Sequence, residues 1–146
     1  IKNYKVEYYK GDYYKCTSVK KLNCLVYPIP SVKSLGIHAV LNLNGEVSFG
    51  PNIYEVSKIE YDIDDRYKND FLNQINKYLD VKSEDMYPDF SGIRPKIDYV
   101  DQFNDFIIKN EKENGHDNFI NLIGVDSPGL TSSLAIGEYI AKLLNL

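Results

Sequence analysis

The sequence predicts an α+β fold, a mixed and largely antiparallel sheet with one helix inside the chain and another at its end. Three observations predict it. Two runs of alternating apolar and polar residues flank Asn44-Gly45, a pair suited to tight hairpins because both central residues of such turns take positive φ. Between 66 and 79 the apolar spacing changes from two residues to three and four, the period of an amphipathic helix. Strand-like runs then return and a second helical pattern closes the chain, an order that favours hairpins over parallel crossover units.

In chain order, 4–16 (YKVEYYKGDYYKC) is rich in Tyr and Val and reads as a strand; Gly11 within it predicts a bulge or a close approach of backbone. The stretch 22–30 (LNCLVYPIP) reads as a short apolar strand stopped by Pro28 and Pro30. The hairpin occupies 35–51. In the 66–79 helix Tyr67, Phe71, Ile75, Tyr78 and Leu79 form the apolar face, and Asp64 or Asp65 is placed to cap it. Residues 86–97 (MYPDFSGIRPKI) read as a loop that becomes a strand. Two more strands follow at 103–110 and 119–125, joined by the polar turn EKENGHDN (111–118). The last helix is expected from about Thr131 to Leu144, with Ile136, Ile140, Leu143 and Leu144 facing inward. No repeat, low-complexity stretch or linker composition interrupts the chain, so one compact unit is expected.

The chain has 146 residues, enough for one domain with its own core, and 43% hydrophobic with 26% charged residues is an ordinary globular balance. A net charge of −4 argues against a nucleic-acid partner. No apolar run approaches the roughly 20 residues that span a bilayer as a helix. The opening IKNYKVEYYKGDYY has neither the make-up of a signal peptide nor an initiator Met, which makes a fragment or processed piece the expectation. Cys16 and Cys24 are expected as buried free thiols, and no Cys/His spacing suggests a metal.

Three stretches can carry chemistry. In SPGLTSS (127–133) a turn runs into a helix, whose first N–H groups and macrodipole suit an anion or a polarised carbonyl. An ordinary capped helix terminus is the alternative. In SGIRPKI (91–97) Arg94 lies between Ile93 and Pro95, where its planar fork could clamp a carboxylate, or its stem could simply cover apolar neighbours. In LGIHAVL (35–41) alternation puts Ile37 and Ala39 on one face and His38 and Val40 on the other, so His38 is either a base near a hydroxyl or a satisfied strand histidine. His116 lies in the polar turn and reads as solvated. The chain holds no G-x-S-x-G elbow, G-x-G-x-x-G fingerprint or P-loop.

Taken in order, KGDYY, LVYPIPSVKSLGIHAVLNLNGEVSFGPNI, MYPDFSGIRPKI, DFII and INLIGVDSPGLTSSLAIGEYIA resemble the C-terminal part of FAD-dependent oxidoreductases of the D-amino-acid-oxidase-like superfamily. The branch most similar is that of L-2-hydroxyglutarate dehydrogenase and relatives labelled FAD-dependent glycerol-3-phosphate dehydrogenase. The resemblance covers nearly the whole chain in register. Such proteins begin with a Rossmann-type unit bearing the dinucleotide fingerprint, which this sequence lacks.

The resemblance implies that 1–110 is a portion of a substrate-binding domain and 111–146 the return strand and C-terminal helix of a FAD-binding domain. It implies FAD as cofactor, with Pro128, Gly129, Leu130 and Thr131 near the pyrimidine end of the flavin. A helix N-terminus there would favour negative charge by about 0.3–2 kcal/mol. Arg94 inherits the role of carboxylate anchor, and His38 that of base or hydroxyl-orienting group. Tyr27 and Tyr87 become pocket-wall candidates. The implied reaction is oxidation of a 2-hydroxy acid. An alternative is oxidation of glycerol 3-phosphate, whose phosphate would call on Lys96 beside Arg94. A non-catalytic binding module is a reading of another kind. The expected partners are the small-molecule substrate, an N-terminal FAD-binding half and an electron acceptor (oxygen, a quinone or a carrier protein). The expected compartment is the cytoplasm or the mitochondrion.

Overall fold

The computed structural model describes residues 4–20, 22–29, 36–98 and 105–146. Among them the elements run β1 (Lys5–Cys16), β2 (His38–Leu41), β3 (Val47–Gly50), β4 (Tyr54–Val56), α1 (Lys68–Ile75), β5 (Met86–Asp98), β6 (Ile107–Asn110), β7 (Ile120–Ile123) and α2 (Ser133–Leu143). The class is α+β with antiparallel pairing, as expected. The chain divides into two compact units where one was expected: residues 8–94, and residues 1–7 with 95–146. Both divisions fall inside strands, β1 and β5, so no linker composition could mark them. No helix among the described residues is long and apolar enough to cross a membrane.

In the 8–94 unit, β2 pairs with β3, β3 and β4 each pair with β1, and β5 also pairs with β1. Alternation along β1 sends Lys10, Asp12, Tyr14 and Cys16 into the interior. There Tyr14 and Cys16 join Ile37, Ala39, Val47, Phe49, Phe71, Ile75, Val81 and Met86 in one apolar core. The Tyr14 ring meets Phe71 edge-on at 4.9 Å, and its hydroxyl donates to Asp65 Oδ1 at 3.1 Å. Full burial of such a side chain is worth about 1.5–3 kcal/mol, so these contacts fix which face of the sheet points inward.

The register contains one extra residue. Between Tyr14↔Phe49 and Lys10↔Tyr54, residues 11–13 of β1 face residues 50–53 of the partner run. The extra residue belongs to the 50–53 run and not to β1, so Gly11 is not itself the bulge but faces it, and of the two expectations for Gly11 the close approach of backbone is the one seen. A Cβ on Gly11 would lie 2.7 Å from Pro51 Cβ, and the Asp12 N–H donates to Asn52 Oδ1 at 2.7 Å in place of a backbone carbonyl.

Other expectations are modified. The hairpin forms around Asn44-Gly45, but only Gly45 takes positive φ (77°). The Gly45 N–H donates to Asn42 O, while Asn42 Oδ1 accepts from Asn44 N and Glu46 N, so the loop is longer than a two-residue turn. Residues 22–29 contribute a single bridge, Val26 with Ala39, and Cys24 is exposed; both cysteines are free. Pro30, Leu35 and residues 103–104 of the expected elements lie outside the described residues. The 86–97 stretch is strand throughout, because β5 pairs only with β1 among the described strands and an edge tolerates Pro88 and Pro95. The inner helix is shorter than 66–79. A 3-10 turn, Asp65–Tyr67, precedes it, with Asp64 accepting from Arg66 N at 3.0 Å. Asn76 Oδ1 then accepts from Val81 N at 2.9 Å and turns the chain away.

In the other unit β6 and β7 form an antiparallel pair. The 111–118 turn contains a 3-10 helix whose first residue, Glu111, is buried and not solvated. In α2, Ile136, Ile140, Leu143 and Leu144 are half-buried, and no α2 residue is fully buried.

Candidate functional site

Pairing across the 8–94 unit brings residues 13, 50, 38 and 27 into one row. His38, the first residue of β2, is the Cα partner of Gly50 in β3. The bridge of Val26 with Ala39 sets Tyr27 beside His38, and the two rings meet edge to face with centroids 4.4 Å apart. On the other side of Gly50 lies Tyr13, since a Cβ on Gly50 would sit 2.5 Å from Tyr13 Cδ1. Tyr13 in turn stacks on Phe90 of β5, centroids 4.3 Å apart and 14° from parallel.

Arg94 lies four residues beyond Phe90. Burial raises the pKa of the Tyr13 phenol; the Arg94 guanidinium pulls it down and Tyr27 pushes it up, so both act on the same hydroxyl. Arg94 is exposed and, among the described residues, makes no hydrogen bond or ion pair. His38 is half-buried, on the face opposite the buried Ile37 and Ala39. An imidazole and an aromatic ring are thus in contact, and a cation is near enough to act on the neighbouring Tyr13 phenol. That set can hold an anionic group and exchange a proton beside it.

Of the residues singled out from sequence, His38 and Tyr27 are in ring contact, and Arg94 acts through its charge on the same phenol as Tyr27. Tyr87 is exposed on β5 and takes no part in these contacts. Lys96, also on β5, belongs to the other compact unit, as do Pro128, Gly129, Leu130 and Thr131. His116 is exposed, its ring 6.1 Å from Phe119. The site also contains Tyr13, Gly50 and Phe90. Finding them needs the pairing of β1 with β3 and β5, which no local pattern reveals.

The stretch before α2 is built from successive turns, which is why the helix starts at Ser133 and not near Thr131. The Gly129 N–H donates to Asp126 O at 2.5 Å, Ser132 N–H to Pro128 O at 3.0 Å and Ser133 N–H to Leu130 O at 3.2 Å. Gly129 is buried, and a Cβ on it would lie 2.6 Å from Asp126 O and 2.7 Å from Val125 Cγ1. The Ser132 hydroxyl turns back to Pro128 O at 3.0 Å and makes no capping bond to α2.

A family model described as "FAD dependent oxidoreductase" (DAO) matches residues 2–143. The chain belongs to that family. Within it, the chain is 39% identical to the mitochondrial L-2-hydroxyglutarate dehydrogenase of Arabidopsis thaliana, over 92% of this chain and 31% of that protein. It is 34% identical to the glycerol 3-phosphate oxidase of Mycoplasma genitalium, over 100% of this chain and 38% of that protein. The dithionite-reduced L-alpha-glycerophosphate oxidase of Mycoplasma pneumoniae, solved with FAD bound, is similar in structure. Its TM-score is 0.73 at 27% identity, covering 98% of this chain and 37% of that one. The chain therefore spans about a third of the length of these relatives.

Residues 126–134 fit the cofactor of this family. Gly129 keeps the turn tight where a side chain would disrupt it, and the start of α2 carries no side-chain cap. Leu130 and Leu134, 91% and 90% exposed, offer apolar surface near that helix start. Backbone donors flanked by apolar surface suit the polar edge of a flat aromatic ring.

Proposed function

We propose that this chain is the substrate-binding part of a FAD-dependent dehydrogenase that oxidises a small 2-hydroxy acid such as L-2-hydroxyglutarate. The observation that supports the reading is the ring contact of Tyr27 with His38, in the row that also holds Tyr13, on whose phenol the Arg94 charge acts. The likeness to an L-2-hydroxyglutarate dehydrogenase supports the choice of substrate. In this reading Arg94 holds the substrate carboxylate through two parallel N–H···O bonds and sets the carbinol carbon beside the imidazole. His38 accepts the hydroxyl proton as the alcohol becomes a ketone. Pro128, Gly129, Leu130 and Thr131 would hold FAD, which when bound supplies a two-electron acceptor. On the same reading, 1–110 belongs to a substrate domain, 111–146 returns to a FAD-binding domain, and the reducing equivalents leave to a separate acceptor.

Oxidation of glycerol 3-phosphate is a second reading, favoured by the two glycerophosphate oxidases. A phosphate carries more charge than a carboxylate and would call for a further cation besides Arg94. Anaerobic mixing of the complete polypeptide with each substrate separates the two. Loss of flavin absorbance is expected with the 2-hydroxy acid and not with glycerol 3-phosphate. The reverse result would replace the first reading by the second.

A further inference from the structure

Arg94 bears the charge on which the proposed reading depends, yet its side chain is exposed and makes no hydrogen bond or ion pair among the described residues. Its placement therefore falls to the strand it stands on. Just upstream, three consecutive residues of β5 tie that strand to three different neighbours. Ser48 Oγ of β3 donates to Asp89 Oδ2 at 2.5 Å. The Phe90 ring stacks on Tyr13 of β1, centroids 4.3 Å apart. Ser91 Oγ donates to Tyr61 O at 2.6 Å. Beyond these ties a Cβ on Gly92 would meet nothing within 4 Å, and Arg94 follows two residues later.

The bond between Ser48 and Asp89 stands out among the three. A hydroxyl donated to a carboxylate at that length is charge-assisted, roughly twice as strong as a neutral hydrogen bond. Ser48 stands two residues before Gly50, so alternation puts both on the face of β3 turned away from Val47 and Phe49 of the core. Ser48 is nevertheless only 8% exposed. Among the described strands β3 and β5 each pair with β1 and not with each other, so this side-chain bond joins them directly. β3 in turn pairs with β2, and its Gly50 is the Cα partner of His38. The bond thus connects the strand of the cation to the strand beside the imidazole.

We propose that Ser48 and Asp89 are a positioning pair for Arg94, whose bond fixes β5 against β3 and so sets the anchoring cation relative to His38. The inference rests on the carboxylate-anchoring reading of Arg94, and neither residue of the pair touches the substrate in it. Five residues of strand, about 16 Å, separate Asp89 from Arg94, so a tilt of about 4° at Asp89 would move the guanidinium by about 1 Å, enough to spoil a two-bond grip on a carboxylate.

The test uses the complete enzyme on L-2-hydroxyglutarate, with Ser48→Ala, Asp89→Ala, Asp89→Asn, Arg94→Ala and the combination of Ser48→Ala with Arg94→Ala. Ser48→Ala and Asp89→Ala should each raise KM roughly threefold or more while kcat changes by less than about twofold and the flavin content is unchanged. Asp89→Asn keeps an acceptor for the Ser48 hydroxyl and should hold KM within about twofold of the wild type. In the Arg94→Ala background Ser48→Ala should lower kcat/KM hardly further, because no cation is left to position. Three results would overturn the positioning role and leave Arg94 as the anchor: a raised KM for Arg94→Ala with none for Ser48→Ala or Asp89→Ala, a Ser48→Ala loss as large without Arg94 as with it, or an Asp89→Asn enzyme as poor as Asp89→Ala. A KM unchanged by Arg94→Ala overturns the anchor reading and this inference with it.

Discussion

Asp12 lies directly behind Tyr13 on β1, on the opposite face, and is 0% exposed. Its Oδ2 accepts from Tyr54, while Oδ1 has no hydrogen bond and faces Lys10 Nζ at 3.8 Å. Lys10, also buried, donates to Asp62 O. Two buried charges are tolerated here because each neutralises the other, and removing one strands its partner. Asp12→Ala should therefore cost about 3–5 kcal/mol in urea unfolding, and a loss below about 1 kcal/mol would show that Lys10 does not depend on it. None of this was legible in KGDYY, because alternation says that Lys10 and Asp12 share a face but not that the face is the interior. His38 and Arg94 could be singled out as candidates from their immediate neighbours, and Tyr27 only from the family likeness. Tyr13 was not, because its meaning depends on the strands beside it.

Among the elements, those with a strong period were read correctly and those set by partners were not. The core face of α1 follows from Phe71 and Ile75, and β1 from its Tyr- and Val-rich alternation. The 22–30 stretch has the apolar content of a strand, yet only Val26 bridges, so hydrophobicity alone did not secure a partner. The polar 111–118 turn hides a buried acid. Glu111, 4% exposed, accepts from Asn121 Nδ2 at 3.0 Å and from Asn114, and pairs with Lys109 at 3.9 Å. The bonds from Asn121 and Asn114 hold its pKa below the usual 4.5, against the opposing effect of burial. A carboxyl depressed on folding stabilises the structure at pH above its unfolded value and loses that contribution as pH falls through the folded one. Amide protection in the β6–β7 hairpin should thus decline on acidification below the ordinary glutamate range, and Glu111→Gln should remove that decline. An identical acid response in the variant would contradict this assignment.

At the scale of the whole molecule, the chain is a net anion of −4 that on this account must bind another anion. Local arrangement has to outweigh that field, which is why a single cation, Arg94, bears so much of the argument. The family and its cofactor were legible because several blocks resemble one another's counterparts in order. The two-unit division was not, because it cuts through β1 and β5. The chain spans about a third of the length of its relatives. The most direct measurement is kcat/KM for L-2-hydroxyglutarate in the complete polypeptide, wild type against Arg94→Ala. Loss of a charge-assisted bidentate pair should lower it by roughly two or more decades, chiefly through KM, with the flavin still bound. An Arg94→Ala enzyme as efficient as the wild type would contradict the account.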